Sequence, residues 1–194
     1  MEGKADRHWG LAWRQLEEEA RSCRACRLRD GCQGVVVADG IPTARLMLVG
    51  EAPGRTEDEQ GRPFVGAAGQ LLDRILDAAA LPRPTVYITN VVKCRPPQNR
   101  LPQWEEVEAC RPWLERQVQL VDPAIIVCLG ALAAQALIHR QARITQWRGQ
   151  WYEKDGRWYL PTYHPAALLR DKSKWRPVWD DFREIRRRYD QLAR

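Results

Sequence analysis

The chain has 194 residues, a formal net charge of +6 and a pI near 9.2, a length that fits one domain able to bury a sizeable core. No apolar run approaches the roughly 18–20 residues of a membrane span, and the first ten residues, MEGKADRHWG, hold no apolar signal segment. No membrane partner is therefore expected, and a cytoplasmic location is.

Residues 9–21, WGLAWRQLEEEAR, predict a helix with an apolar stripe at Trp9, Trp13, Leu16 and Ala20. The segment CRACRLRDGC that follows has no clean period. RLMLV, 45–49, is the first buried strand; it stops at Gly50 and gives way to Glu51, Ala52, Pro53 and Gly54. The stretch from Gly50 to Gly66 reads as a loop rich in glycine and acids. GAAGQLLDRILDAAA returns to helical period, with Leu71, Leu72, Ile75 and Leu76 towards the core. TVYIT, 85–89, is a second strand ending at Asn90, and KCRPPQNRLP is a loop dense in proline. Residues 104–120 predict a third helix, AIIVCLG (124–130) a strand, and ALAAQALI a helix after it. QWYEKDGRWYL alternates about Asp155-Gly156, the signature of a hairpin. TYHPAALLR passes from extended chain into a short helix, and from about Trp175 the tail is a basic helix with interleaved aromatics.

Alternating strands and helices predict a three-layer α/β/α sandwich with a central, mainly parallel four-stranded sheet. One domain over 1–194 is expected, its N-terminal helix and cysteine knuckle (9–32) packed on the α/β core. In such sheets ligands bind beyond the strand ends, here Gly50, Asn90, Gly130 and the stretch before His164.

Arginine outnumbers lysine 26 to 5, and the positive balance hints at a polyanionic partner. Asparagine occurs only as Asn90 and Asn99, and phenylalanine only as Phe64 and Phe182. Among the six cysteines, Cys23 and Cys26 form a C-x2-C knuckle, and 15 residues separate Cys94 from Cys110. Two pairs of thiolates can hold a [4Fe–4S] cluster or a zinc ion. Zinc modules usually carry two knuckles and the second pair is not one, which favours the cluster. Ordinary buried thiols are the competing reading, but Cys23, Cys26 and Cys94 sit among arginines. Cys128, inside an apolar strand, reads as a buried thiol, and Cys32 is placed outside the ligand set.

GEAPGRTEDEQGRPFVGAAGQLL, TNVVKCRPPQNR and YHPAALLR, together with the C-x2-C and C-x15-C pairs, resemble the iron–sulfur uracil-DNA glycosylases of family 4. The likeness runs from about Leu16 into the C-terminal helix. It implies a monofunctional enzyme that hydrolyses the N-glycosidic bond of deoxyuridine in DNA and leaves an abasic site. Its partner would be uracil-containing DNA; a monomer is expected only as the default, apart from the resemblance. Cys23, Cys26, Cys94 and Cys110 would hold a structural [4Fe–4S] cluster, with no organic cofactor.

On this resemblance, Gly50, Glu51, Ala52 and Pro53 bring backbone close to a flipped base. Phe64 stacks on it, although a phenylalanine is more often a core anchor. Asn90 matches the N3–H and O4 edge of uracil; a turn asparagine is the alternative. His164 donates to O2 as negative charge develops there, where a core histidine is the usual reading of a single His. Glu57, Asp58 and Glu51 are candidate acids for the sugar; Ala52 stands where better-known relatives carry an aspartate, and the resemblance points to Glu57 as the compensating acid, with Asn99 holding the water and Glu51 organising the pocket. Leu168 or Leu169 would wedge into the space left by the base, and Arg170 would meet a phosphate. The rival function is a non-catalytic or covalently trapping uracil-DNA-binding protein with a metal staple. Trapping would need a histidine in the loop KCRPPQNRLP, which has none.

Overall fold

The computed structural model describes the backbone of residues 4–192 and the side chains of residues 10–192. Helix α1, Lys4–Ser22, buries Leu16 and Ala20. Trp13 on the same face meets Tyr87 edge-on, with ring centroids 5.3 Å apart. The side chains of His8 and of Trp9, expected on that stripe, lie outside the described residues. After the knuckle come a single turn, α2 (Leu28–Gly31), and a two-residue strand, β1 (Asp39–Gly40). Every residue of β2, Leu46–Gly50, is buried. A parallel strand covered on both faces reads as a continuous apolar run.

The stretch expected to be all loop contains a helix, α3 (Arg55–Gln60). The Glu57 carboxylate reaches back to the Gly54 N–H (3.1 Å) and closes its first turn. Helix α4, Ala67–Ala78, buries Leu71, Leu72, Ile75 and Leu76 as its period requires. Strand β3, Tyr87–Asn90, is followed by α5 (Trp104–Val121), β4 (Ile125–Leu129), α6 (Ala131–Leu137) and a short α7 (Ile144–Trp147). The hairpin β5 (Tyr152–Lys154) and β6 (Arg157–Thr162) turns on Asp155 and Gly156, both at positive φ (51° and 73°), as a type I′ turn demands. His164 caps α8, Pro165–Arg170, and α9 spans Trp175–Leu192.

The sheet order is β1-β3-β2-β4-β6-β5. The four strands expected from the sequence form the parallel core, β3-β2-β4-β6, and short antiparallel strands at both edges bring the total to six. Alternate residues face opposite layers. Met47, Val49, Ile126 and Cys128 pack with Leu16, Val107, Leu114 and Ala133 from α1, α5 and α6. Leu46, Leu48, Ile125 and Val127 pack with Leu71, Leu72, Phe182 and Ile185 from α4 and α9. The result is the α/β/α sandwich, with the carboxyl ends of β2, β3, β4 and β6 on one rim. Among the described residues, no helix is long and apolar enough to cross a membrane.

Candidate active site

At that rim a cavity of about 530 Å³ opens, lined by Glu51, Ala52, Pro53, Glu57, Phe64, Asn90 and His164 among others. Its size lies in the range of small-ligand sites. Gly50 and Asn90 are register partners on β2 and β3. Gly50 does not line the cavity; it makes room for those that do. A Cβ there would stand 2.4 Å from both Asn90 Oδ1 and Phe64 Cζ, well inside van der Waals contact. Only glycine lets the amide and the ring approach one another over this strand end.

Phe64 adopts φ 53°, in the left-handed region that non-glycine residues seldom occupy. Arg83 restrains it: Nη1 donates to the Phe64 carbonyl (2.9 Å) and Nη2 to the Pro63 carbonyl (2.7 Å). The guanidinium is held in turn by Asp39 and Asp73. Gly69 of α4 admits the loop, since a Cβ there would overlap the Phe64 carbonyl. The Phe64 ring reaches His164, with centroids 5.5 Å apart and planes at 31°. Arg83, which fixes the aromatic wall, has no counterpart among the sequence-predicted site residues.

Asn90 is 1 % exposed, and its Oδ1 has no hydrogen-bond partner among the described residues. A buried acceptor left unmade costs about 1–3 kcal/mol, so this oxygen points to a donor supplied by a ligand. His164 is the other fixed polar group. Its Nδ1 accepts the Ala166 N–H (3.1 Å) at the start of α8, which leaves Nε2 as the protonated nitrogen and the available donor. Burial pushes the imidazole pKa down to about 4, against an upward pull from Glu57 and alongside a smaller downward push from Arg170.

The Glu57 carboxylate lies on the cavity wall with both oxygens engaged: Oε1 accepts the Val65 and Gly66 N–H groups (2.9 and 2.8 Å), and Oε2 that of Gly54. Burial alone raises the pKa of Glu51. Asn99 lines the exposed rim, and its Oδ1 accepts Arg95 Nε (2.8 Å), so its amide N–H groups are the ones left for a water.

At the outer lip Leu169 is 51 % exposed, whereas Leu168 is 1 % exposed and belongs to the core beside Leu72 and Phe182. Leu168 is therefore no DNA contact; the helical period of α8 turns it inward. Arg170 is exposed and lines the cavity. In the tail, Arg186 and Arg187 pair with Asp190 and Glu184 of their own helix, and Arg188 lies over the Trp151 and Trp158 rings. That helix is thus less available to phosphates than its composition suggested.

Away from the rim, Cys23, Cys26, Cys94 and Cys110 line one small cavity with Leu28, Val35, Val92 and Trp113. Trp113 Nε1 donates to Cys23 Sγ (3.2 Å) and the Lys93 N–H to Cys110 Sγ (3.3 Å), as hydrogen bonds to ligating sulfur would. Burial first, then neighbouring thiols, raises the pKa of Cys94 far above the ordinary thiol value. Among the described residues, no three Cys, His, Asp or Glu side chains close tightly enough for a single metal ion. Four sulfurs around a shared cavity are a donor set that could hold a [4Fe–4S] cluster or a zinc ion. Cys32 does not line this cavity, but it lies against the Cys94 thiol as well as Arg29. Cys128 is fully buried in β4, and burial raises its pKa.

The profile described as the uracil DNA glycosylase superfamily matches residues 38–192. A type-4 uracil-DNA glycosylase of Sulfurisphaera tokodaii is 42 % identical over 181 residues, 89 % of this chain and 82 % of its own. The Archaeoglobus fulgidus protein of the same name is 44 % identical over 88 % of this chain and 89 % of its own. That of Thermotoga maritima is 43 % identical over 81 % and 83 %.

Proposed function

The chain belongs to the uracil-DNA glycosylase superfamily, in its type-4 branch, and we propose that the rim cavity hydrolyses the N-glycosidic bond of deoxyuridine in DNA. Uracil is released and an abasic sugar is left. One observation carries this reading of the site: a buried, unpartnered amide oxygen on Asn90, in a cavity whose other walls are Phe64 and the His164 ring.

The target nucleotide leaves the stack to enter such a slot. Its ring lies against Phe64, a contact contributing roughly 1–3 kcal/mol. Asn90 Oδ1 accepts the uracil N3–H, and its amide donates to O4. Cytosine carries an acceptor at N3 and a donor at N4, so it would leave both groups unpaired in a dry site, the kind of mismatch that discriminates strongly. As the bond breaks, negative charge gathers on O2. His164 Nε2–H donates to it, and a neutral, preorganised donor needs no rearrangement at that moment.

The sugar becomes oxocarbenium-like, and the Glu57 carboxylate, pinned by three backbone N–H groups, supplies opposing charge. Asn99 steadies the attacking water at the rim. Leu169 fills the place the base left, and Arg170 meets a flanking phosphate. The four thiols are the ligands of a [4Fe–4S] cluster, which when bound supplies a structural crosslink through its iron–thiolate bonds.

Incubation with a uracil-containing oligonucleotide, followed by hot alkali, tests this reading. Strand cleavage at uracil is expected for the wild type, falling about a hundredfold or more in Asn90→Ala and in His164→Ala. Wild-type protein that binds the oligonucleotide yet yields no alkali-labile site would contradict it.

A further inference from the structure

One buried cation has no part in the mechanism above. Lys93 stands three residues after Asn90 and directly before Cys94, and is 1 % exposed. Its ammonium donates to the Asn90 carbonyl (2.5 Å) and to Thr89 Oγ1 (2.8 Å). Its backbone N–H donates to Cys110 Sγ, and the residue lines the same cavity as the four thiols. None of the carboxylate pairs among the described residues involves it. An ammonium ion taken out of water without a counter-charge costs several kcal/mol. No Asp or Glu among the described residues supplies a compensating charge.

The cavity beside it offers that charge. Four thiolates outweigh the positive charge of the iron–sulfur core they ligate, so a cluster held by four cysteines is anionic. Asn90, for its part, has no side-chain hydrogen bond among the described residues. Its placement depends on its backbone, which is held by β2 on one side and by Lys93 through the carbonyl. Thr89 Oγ1, the second acceptor, donates to the Val37 carbonyl (2.8 Å), and Gln117 Nε2 donates to that carbonyl and to Tyr87 Oη (2.9 and 3.0 Å). The lysine therefore joins a fully buried polar network at one end to the thiol cavity and at the other to the residue that reads the base.

We infer that Lys93 is the counter-cation of the cluster site and a positioning residue for Asn90, so that cluster occupancy and recognition of the pyrimidine are coupled through one side chain. The inference rests on the reading in which the four cysteines hold a cluster and Asn90 reads uracil.

The test compares cluster-loaded wild type, Lys93→Met, Lys93→Arg and Asn90→Ala. It reads the cluster's reduction potential by voltammetry and iron loss to a chelator. It also reads affinity for two oligonucleotides, one carrying a non-hydrolysable 2′-fluoro-deoxyuridine and one an abasic analogue. Lys93→Met should lose iron several-fold faster and shift the potential negative, because a nearby positive charge favours the reduced, more anionic state. It should bind the deoxyuridine analogue about tenfold more weakly with abasic binding unchanged. Lys93→Arg, which keeps the charge but replaces the point donor by a broader fork, should restore potential and iron retention while leaving uracil affinity reduced.

Wild-type potential and wild-type uracil affinity in Lys93→Met would overturn the inference. If that variant does not fold, wild-type uracil affinity in Lys93→Arg, or a shifted potential there, would do the same. An Asn90→Ala protein with undiminished uracil affinity, or wild type that takes up no iron, would instead sink the underlying reading.

Discussion

His164 shows how one side chain acquires a fixed chemical role. The Ala166 N–H occupies Nδ1, and burial disfavours the imidazolium, so the ring presents a neutral Nε2–H donor. The sign of the pH effect follows. The unfolded chain takes up this proton near pH 6.5, whereas the folded protein does so only near 4. Between those values the unfolded state binds more protons. The stabilisation is therefore present above about pH 6.5 and is lost as pH falls towards 4. For catalysis, the expected outcome is a kcat/KM profile with no inflection from this histidine between about pH 5 and 8. A break near pH 6.5 that disappears in His164→Gln would show that the ring titrates in the working range. The motifs QGRPFVG, TNVVKCRPPQNR and YHPAALLR singled out Phe64, Asn90 and His164 in the sequence, where each residue alone also had an ordinary structural reading. Arg83 was not legible. Its partners, the carbonyls of Pro63 and Phe64, are 19–20 residues away, and nothing local in LPRPT signals them.

Elements that obey a local rule were equally readable. The β5–β6 hairpin follows from Asp155-Gly156, and α4 from its apolar spacing. Helix α3 escaped because its stabilising contact is not periodic: a glycine opens it and a glutamate three residues later closes the turn. The acids of that segment read as a solvated loop, yet Glu57 is engaged in binding backbone N–H groups. The loop after β3 is tied down in a similar way. Glu106 of α5 is almost fully buried and accepts from Arg100, from Arg27 beside the cysteine knuckle, and from the Gln103 N–H. The Arg100 hydrogen bond above all holds its carboxyl down at about 2, with the Gln103 N–H and Arg27 adding to the effect. A depressed carboxylate contributes stability above its unfolded value, near 4.5, that is lost as pH falls through about 2. Glu106→Gln should therefore lower the melting temperature by several degrees at pH 7, on the order of 2 kcal/mol. The gap to wild type should shrink steadily below about pH 4. A gap that stays constant across that range would remove Glu106 from the account.

At the scale of the whole molecule, two centres share one scaffold. The rim cavity gathers residues from the ends of β2, β3 and β6 and from the loop before α4. The thiol cavity joins the N-terminal knuckle to the loop after β3 and to α5. A cluster held there would close chain segments about 70 residues apart and constrain the unfolded state, by analogy with a disulfide loop worth on the order of 4 kcal/mol. The mainly parallel core was legible from the alternation of elements; the order of its strands was not. The edge strand β1 was less legible than the core, since two residues carry too little pattern.

The meeting of Phe64, Asn90 and His164 in one slot is the central claim, and a crystal structure of the protein with uracil-containing DNA or free uracil tests it most directly. The account predicts the base against the Phe64 ring, N3 and O4 on the Asn90 amide, and O2 on His164 Nε2. Uracil bound elsewhere, or in this cavity with its Watson–Crick edge turned away from Asn90, would contradict it.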